Sequence, residues 1–158
     1  MNVLFADEQD EPIVTNELLQ LAELVLEAEG LEQETGVSLV LIDEKQMTEL
    51  NERFMGKEGP TDVLSFPIED AVPGIPPVRS RGGPPIELGD IFIAPAVVHR
   101  NADRNGVPFE DELSLMVVHG LLHLLGWNHE EEDEAVRMEA RERALLARIG
   151  RVSGPWSR

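Results

Sequence analysis

The spacing of apolar residues changes several times along the chain, and each change marks an element. Residues 15–30, TNELLQLAELVLEAEG, place Leu18, Leu21, Val25 and Ala28 at helical intervals. This predicts an amphipathic helix capped at Thr15 or Asn16 and stopped at Gly30. Residues 37–43, VSLVLID, are apolar and β-branched, which predicts a buried strand. Residues 44–54 return to helical spacing through Met47, Leu50 and Phe54. Two short apolar runs follow, at 62–66 and 87–94, on either side of AVPGIPPVRSRGGPPI, whose prolines and glycines cannot form regular structure. The remainder predicts three helices, over 94–106, 108–126 and 131–150, with Pro108 near the first turn of the second and Gly126 at its end. With NVLFAD at 2–7 as a further candidate strand, strands gather early and helices late. The expected class is α+β, a small mixed β-sheet packed against several helices. This pattern leaves the strand order open.

Length and composition narrow the picture. A chain of 158 residues suits a single domain over 1–158 with one hydrophobic core. Its 42% hydrophobic and 28% charged residues are ordinary globular usage. No apolar run approaches the roughly 20 residues of a spanning helix, and MNVLFADEQDEP lacks the features of a signal peptide. A cytoplasmic protein without a membrane partner is expected. The chain has no cysteine, so any metal must be held by nitrogen and oxygen.

Thirteen basic residues against 31 acidic ones give a net charge of −18, which argues against a surface for a polyanion, and no DNA partner is expected. The charge is uneven, however. Residues 1–34 hold ten acids and no Lys or Arg, whereas 71–86 hold Arg79 and Arg81 and no acid. That loop is the part of the chain best suited to meet a phosphate backbone, with a solvated linker as the alternative.

Candidate chemistry concentrates in HGLLHLLGWNH, residues 119–129, which holds three of the four histidines. His119 and His123 are four residues apart in a helical segment, hence one turn apart on one face, where both imidazoles can reach one ion. Gly126 ends the helix and lets His129 approach as a third ligand. Three nitrogens leave a fourth position open, and zinc, one per chain, is the natural candidate, with nickel or copper allowed by ligand type. Metal affinity is expected to fall as the imidazoles protonate below about pH 6.5. His99, outside the cluster, reads as an ordinary surface residue. Peptidases with an HExxH helix carry a glutamate after the first histidine as general base, and here that position is Gly120.

HGLLHLLGWNH resembles the HGxLHLxGYDH signature of YbeY-type endoribonucleases, bacterial ribosomal RNA maturation factors. LNERFMGKEGPTDVLSFP at 50–67 is similar to a second block of that family, and LGDIFIA and DEAVRMEARE match in order. The resemblance spans roughly residues 36–150. It implies zinc-dependent, single-strand-specific RNA cleavage in ribosomal RNA processing, including maturation of the 16S 3′ end. It also implies a part in ribosome quality control, with rRNA and small-subunit components as partners. It would put Thr61, Asp62 and Ser65 near the metal cleft as substrate-positioning groups, although a Pro-Thr-Asp run before a strand is also ordinary turn chemistry.

This chain departs from the family pattern at three positions. Where members commonly carry an arginine before a Gly-Lys pair, it has Met55; Trp127 and Asn128 replace the usual tyrosine and aspartate before the third histidine. Phosphodiester cleavage builds negative charge on non-bridging oxygens, so a cation is still needed. Lys57, across Gly56, is the candidate substitute, as a point charge rather than a bidentate fork, with Arg53 second and a solvated turn lysine as the alternative role.

Two other functions fit parts of the sequence. A zinc hydrolase of a peptide or small ester would suit the negative charge, though it lacks the glutamate. A non-catalytic ribosome-assembly factor with structural zinc would need a fourth ligand, which an acid among residues 130–134 could supply.

Overall fold

In the computed structural model, which describes residues 1–151, the apolar run near residue 40 becomes strand β2 (Gly36–Ile42) inside a four-stranded sheet. NVLFAD forms β1 (Asn2–Glu8), parallel to β2. The two later runs become β3 (Val63–Pro67) and β4 (Glu87–Ile93). The strand order is β1-β2-β4-β3, with β4 parallel to β2 and β3 antiparallel to β4. The sheet is therefore mixed, and β3 forms one edge.

Helix α1 (Thr15–Ala28) makes the crossover that two parallel neighbours require. It starts without the expected side-chain cap: Val14 stands at the cap position and no side chain bonds the first turn. Asp43, assigned by sequence to the end of β2, instead caps α2 (Glu44–Leu50), accepting from the backbone N–H of Gln46 at 2.8 Å while the Gln46 side chain accepts from the Asp43 backbone N–H. This reciprocal pair stops the strand at Ile42. The helical run expected to reach Phe54 stays α-helical only to Leu50, then widens into a π-helical turn over Asn51–Met55 closed by Gly56 at a φ of 65°.

The last helices are α3 (Pro95–Asn105), α4 (Phe109–Leu124) and α5 (Glu132–Ala147). Pro108 stands at the cap position of α4, in an extended conformation next to its first turn. Strand alternation sorts the apolar side chains into two layers. Val37, Leu39 and Leu41 of β2 pack with α1, α4 and α5, whereas Ile42 packs with Met47, Leu64, Ala94 and Val97 on the side of α2 and α3. Helix α4 runs through the middle of the larger layer, and nearly all of it is buried. That burial explains why its amphipathic pattern is weak. The loop between β3 and β4 has no regular structure beyond one bridge, Val72 to Ile75. Among the described residues no helix is long and apolar enough to cross a membrane.

Candidate metal centre

Helix α4 approaches the sheet closely because residue 120 has no side chain. A Cβ there would lie 2.8 Å from Ile91 Cγ2 and 3.3 Å from Ser65 Oγ. Ser65 faces Ile91 across the β3–β4 pairing and its hydroxyl donates to the Gly120 carbonyl at 3.3 Å. The glycine thus seats the last turns of α4 against the edge of the sheet, with His119 and His123 beside β3. It also leaves no room for the HExxH glutamate.

The helix ends in a Schellman turn. Gly126, at a φ of 95°, donates to the His123 carbonyl at 3.1 Å, and Trp127 N–H reaches back to the Leu122 carbonyl at 3.0 Å. The left-handed residue redirects the chain and returns His129 toward the helix. The ring centroid of His129 lies 5.4 Å from that of His119 and 5.1 Å from that of His123. One nitrogen from each of the three rings falls in a group whose members all lie within 4.8 Å of one another.

Two rings are oriented by partners on their far side. His119 is 3% exposed, and its Nδ1 stands 2.6 Å from a carboxylate oxygen of Glu142, a residue of α5 that is 1% exposed. A carboxylate only accepts, so Nδ1 carries the proton and Nε2 is left as the ligand atom. His123 Nδ1 donates to the Trp127 carbonyl at 2.9 Å, so its Nε2 is also free to ligate, and the two Nε2 atoms face each other at 2.8 Å. Burial, followed by the neighbouring imidazoles, pushes the His123 pKa down to about 4. This ring stays neutral, the ligating form, well below the pH 6.5 expected from an ordinary histidine.

This donor set fits a metal ion. A tetrahedral ion bonded at about 2.0–2.1 Å separates its ligand nitrogens by about 3.3 Å. The 2.8 Å pair and the 4.8 Å limit bracket that spacing. Among the described residues the group consists of the three histidines alone, and no acid from 130–134 joins it. His99 is remote from the cluster, stacked on Phe109 at 4.9 Å and 3.6 Å from Glu11.

A cleft of about 270 Å3 opens beside His119 and His123, lined by Met55, Val63, Leu64, Ser65 and Pro67. It runs along β3, whose described pairing is with β4 alone.

The chain matches the family model for endoribonuclease YbeY over residues 4–150. It is 40% identical to the endoribonuclease YbeY of Thermobifida fusca over 93% of each chain. Against that of Acidothermus cellulolyticus it is 41% identical over 92% of this chain and 90% of the relative. The chain belongs to the YbeY endoribonuclease family. The solution structure of a Thermotoga maritima protein has a similar fold, with a TM-score of 0.60 and 26% identity over 93% of this chain and 91% of that one. The family match extends the resemblance forward from residue 36 to include β1 and α1.

The other sequence-predicted residues part ways. Ser65 lines the cleft. Asp62 is buried one residue before β3, where its carboxylate accepts from Val63 N–H at 2.8 Å and from the Asn101 amide at 3.1 Å. Both contacts tie the start of β3 to α3. Thr61 points its hydroxyl at the same carboxylate, 3.4 Å away. Lys57 is exposed on the turn after Gly56 and does not line the cleft, whereas Met55 does. Met55 therefore lies on the wall of the cleft that His119 and His123 share. Arg79 is ion-paired with Glu34, and in the loop it shares with Arg81, Ala71 packs over Gly126.

Sequence reasoning missed Glu142 and the Trp127 carbonyl. Glu142 left a faint trace, because it follows Met138 by four residues and precedes Leu145 by three, an acid on the buried stripe of α5. The carbonyl left none, since any residue supplies one. For that reason tryptophan in place of tyrosine leaves the His123 contact intact. Asn128 keeps an acceptor oxygen before His129, 3.3 Å from Glu130 N–H.

Proposed function

We propose that this protein is a zinc-dependent endoribonuclease that cleaves single-stranded RNA in the cleft beside His119, His123 and His129. One observation carries the reading: three imidazole nitrogens converge, within 4.8 Å of one another, in a chain of the YbeY endoribonuclease family. Zinc is the proposed metal because the site offers three nitrogens and no sulfur. When bound, it would supply Lewis acidity toward a phosphoryl oxygen.

The chain's own residues do the rest. Glu142 and the Trp127 carbonyl hold the two helix imidazoles in the ligating tautomer. Ser65 fixes α4 to β3 through the Gly120 carbonyl, keeping the cleft wall beside the histidines. Asp62 braces the start of that wall. Lys57, or Arg53 as second choice, supplies the cation near the phosphate that Met55 does not. The wider role is ribosomal RNA processing, including the 16S 3′ end, and ribosome quality control in the cytoplasm, with rRNA and small-subunit components as partners and the whole chain acting as one domain.

Peptide hydrolysis is disfavoured because a general-base glutamate cannot be accommodated at residue 120 without displacing Ile91. The deciding experiment offers metal-analysed protein a single-stranded rRNA fragment, the same sequence as a duplex, and casein. Cleavage of the single strand alone is expected. Casein cleavage, or no RNA cleavage by zinc-loaded protein, would overturn the assignment.

A further inference from the structure

Phe54 is more exposed than its sequence register allows. It follows Met47 by seven residues, about two α-helical turns, and would share its face in a continuous α-helix. Met47 is fully buried, yet Phe54 is 54% exposed. The π-helical turn over Asn51–Met55 accounts for the difference: it widens the coil after Leu50 and carries Phe54 off the buried stripe. The turn is held from outside the helix, because buried Asn51 donates its side-chain amide to the Gly59 carbonyl at 2.9 Å.

The exposed ring lies across the edge of β3 from the histidine cleft. The next residue, Met55, lines the cleft with His119 and His123. Phe54 meets Phe66 edge-on, with centroids 5.5 Å apart and planes at 74°. Phe66 sits in β3 between Ser65 and Pro67 of the cleft wall, but strand alternation turns its ring to the opposite face of the sheet, where it packs on the smaller core layer and meets Phe92 at 5.7 Å. Arg53 holds its guanidinium carbon 5.3 Å from the Phe54 ring centre. On the outer side of β3, one residue from the cleft-lining Met55, an aromatic ring is thus braced from within by two others and accompanied by a cation that itself stacks on planar π-systems.

We propose that Phe54, with Arg53 against it, is the seat on which an unpaired base stacks where a strand leaving the histidine cleft crosses the edge of β3. The proposal rests on the RNA-cleaving reading of the histidine cleft and names how that cleft holds its substrate. A duplex keeps its bases stacked on one another, so only a single strand can offer a free base face to the ring. Stacking also suits a chain of net charge −18, because it gives affinity without a run of phosphate contacts. Phe54 is a positioning residue, and its removal should act on KM rather than kcat.

The test compares Phe54→Leu, which keeps apolar bulk against Phe66 but has no π face, with Phe54→Tyr, which keeps the face. Both variants of the full, zinc-loaded chain are assayed on a single-stranded RNA oligonucleotide, and the parental protein is photo-crosslinked to the same strand carrying 5-iodouridine. Phe54→Leu should raise KM roughly 5- to 100-fold, with kcat, zinc content and melting temperature close to parental and the salt dependence of binding unchanged. Phe54→Tyr should behave as the parent, and the crosslink should map to Phe54. A parental KM in Phe54→Leu, or a crosslink that maps elsewhere, overturns the stacking seat and leaves the ribonuclease reading standing. A parental protein that neither binds nor cleaves the strand overturns both.

Discussion

The two lips of the cleft are built on opposite principles. On the α4 side each helix histidine has a partner behind it, a buried carboxylate for His119 and a backbone carbonyl for His123. That lip grows out of the core, and its geometry follows from packing that also stabilises the fold. On the other side Met55 lines the cleft from a turn that also carries Phe54 and Lys57, all three of them exposed. Metal chemistry needs nitrogens placed to a few tenths of an ångström, and only a packed core gives that. Holding a flexible strand needs contact area and charge at the surface. Met55 falls on this surface side, outside the packing that orients the helix histidines.

The largest expected effect breaks the buried lip outright. Replacing His119 and His123 together by alanine should reduce bound zinc from about one per chain to near zero and abolish RNA cleavage. Unchanged metal content by elemental analysis would put the site elsewhere. A subtler change leaves all three ligands and removes only the charge behind one of them. Glu142→Gln should weaken zinc binding by roughly 10- to 100-fold in a chelator competition, as expected when a group orienting a metal-binding imidazole is altered. An unaltered affinity would mean that α5 only packs against His119.

The exposed lip should respond in rate rather than in metal. Lys57→Ala is expected to slow RNA cleavage at least about tenfold with zinc content and folding intact, the loss of one cation from a phosphoryl site. Because residue 55 faces the cleft, Met55→Arg should restore much of that loss. Parental rates in Lys57→Ala would end its candidacy as the substitute cation. The smallest effect is expected at Arg79, whose guanidinium is engaged by Glu34. Arg79→Ala should change RNA affinity less than about twofold and stability by no more than about 1 kcal/mol, the range for an exposed ion pair. A flattened salt dependence of RNA binding would return that loop to the interface.

Much of this was legible along the chain, for reasons that are local. A helix or strand announces itself through periodicity, so every regular element fell close to its expected place. His119, His123 and Gly126 announced the three-histidine cluster because helical pitch alone puts the first two on one face and a left-handed glycine turns the chain back. The choice between roles for Asp62 was not local. Its sequence neighbours allow either a turn or a substrate contact, and Asn101, 39 residues away, engages the second oxygen.

Periodicity determined which segments are helices and strands, and four-residue spacing determined that two imidazoles could share an ion. The tertiary structure alone decided the strand order, the partner of His119, the exposure of Phe54 and the orientation of Met55 into the cleft. Each of these depends on contacts between residues far apart in the chain, or on a π-helical turn whose hold comes from Gly59 outside the helix. Local spacing carries information only about neighbours within a turn or two. Which distant surface they will meet is set when the chain buries its apolar faces against one another.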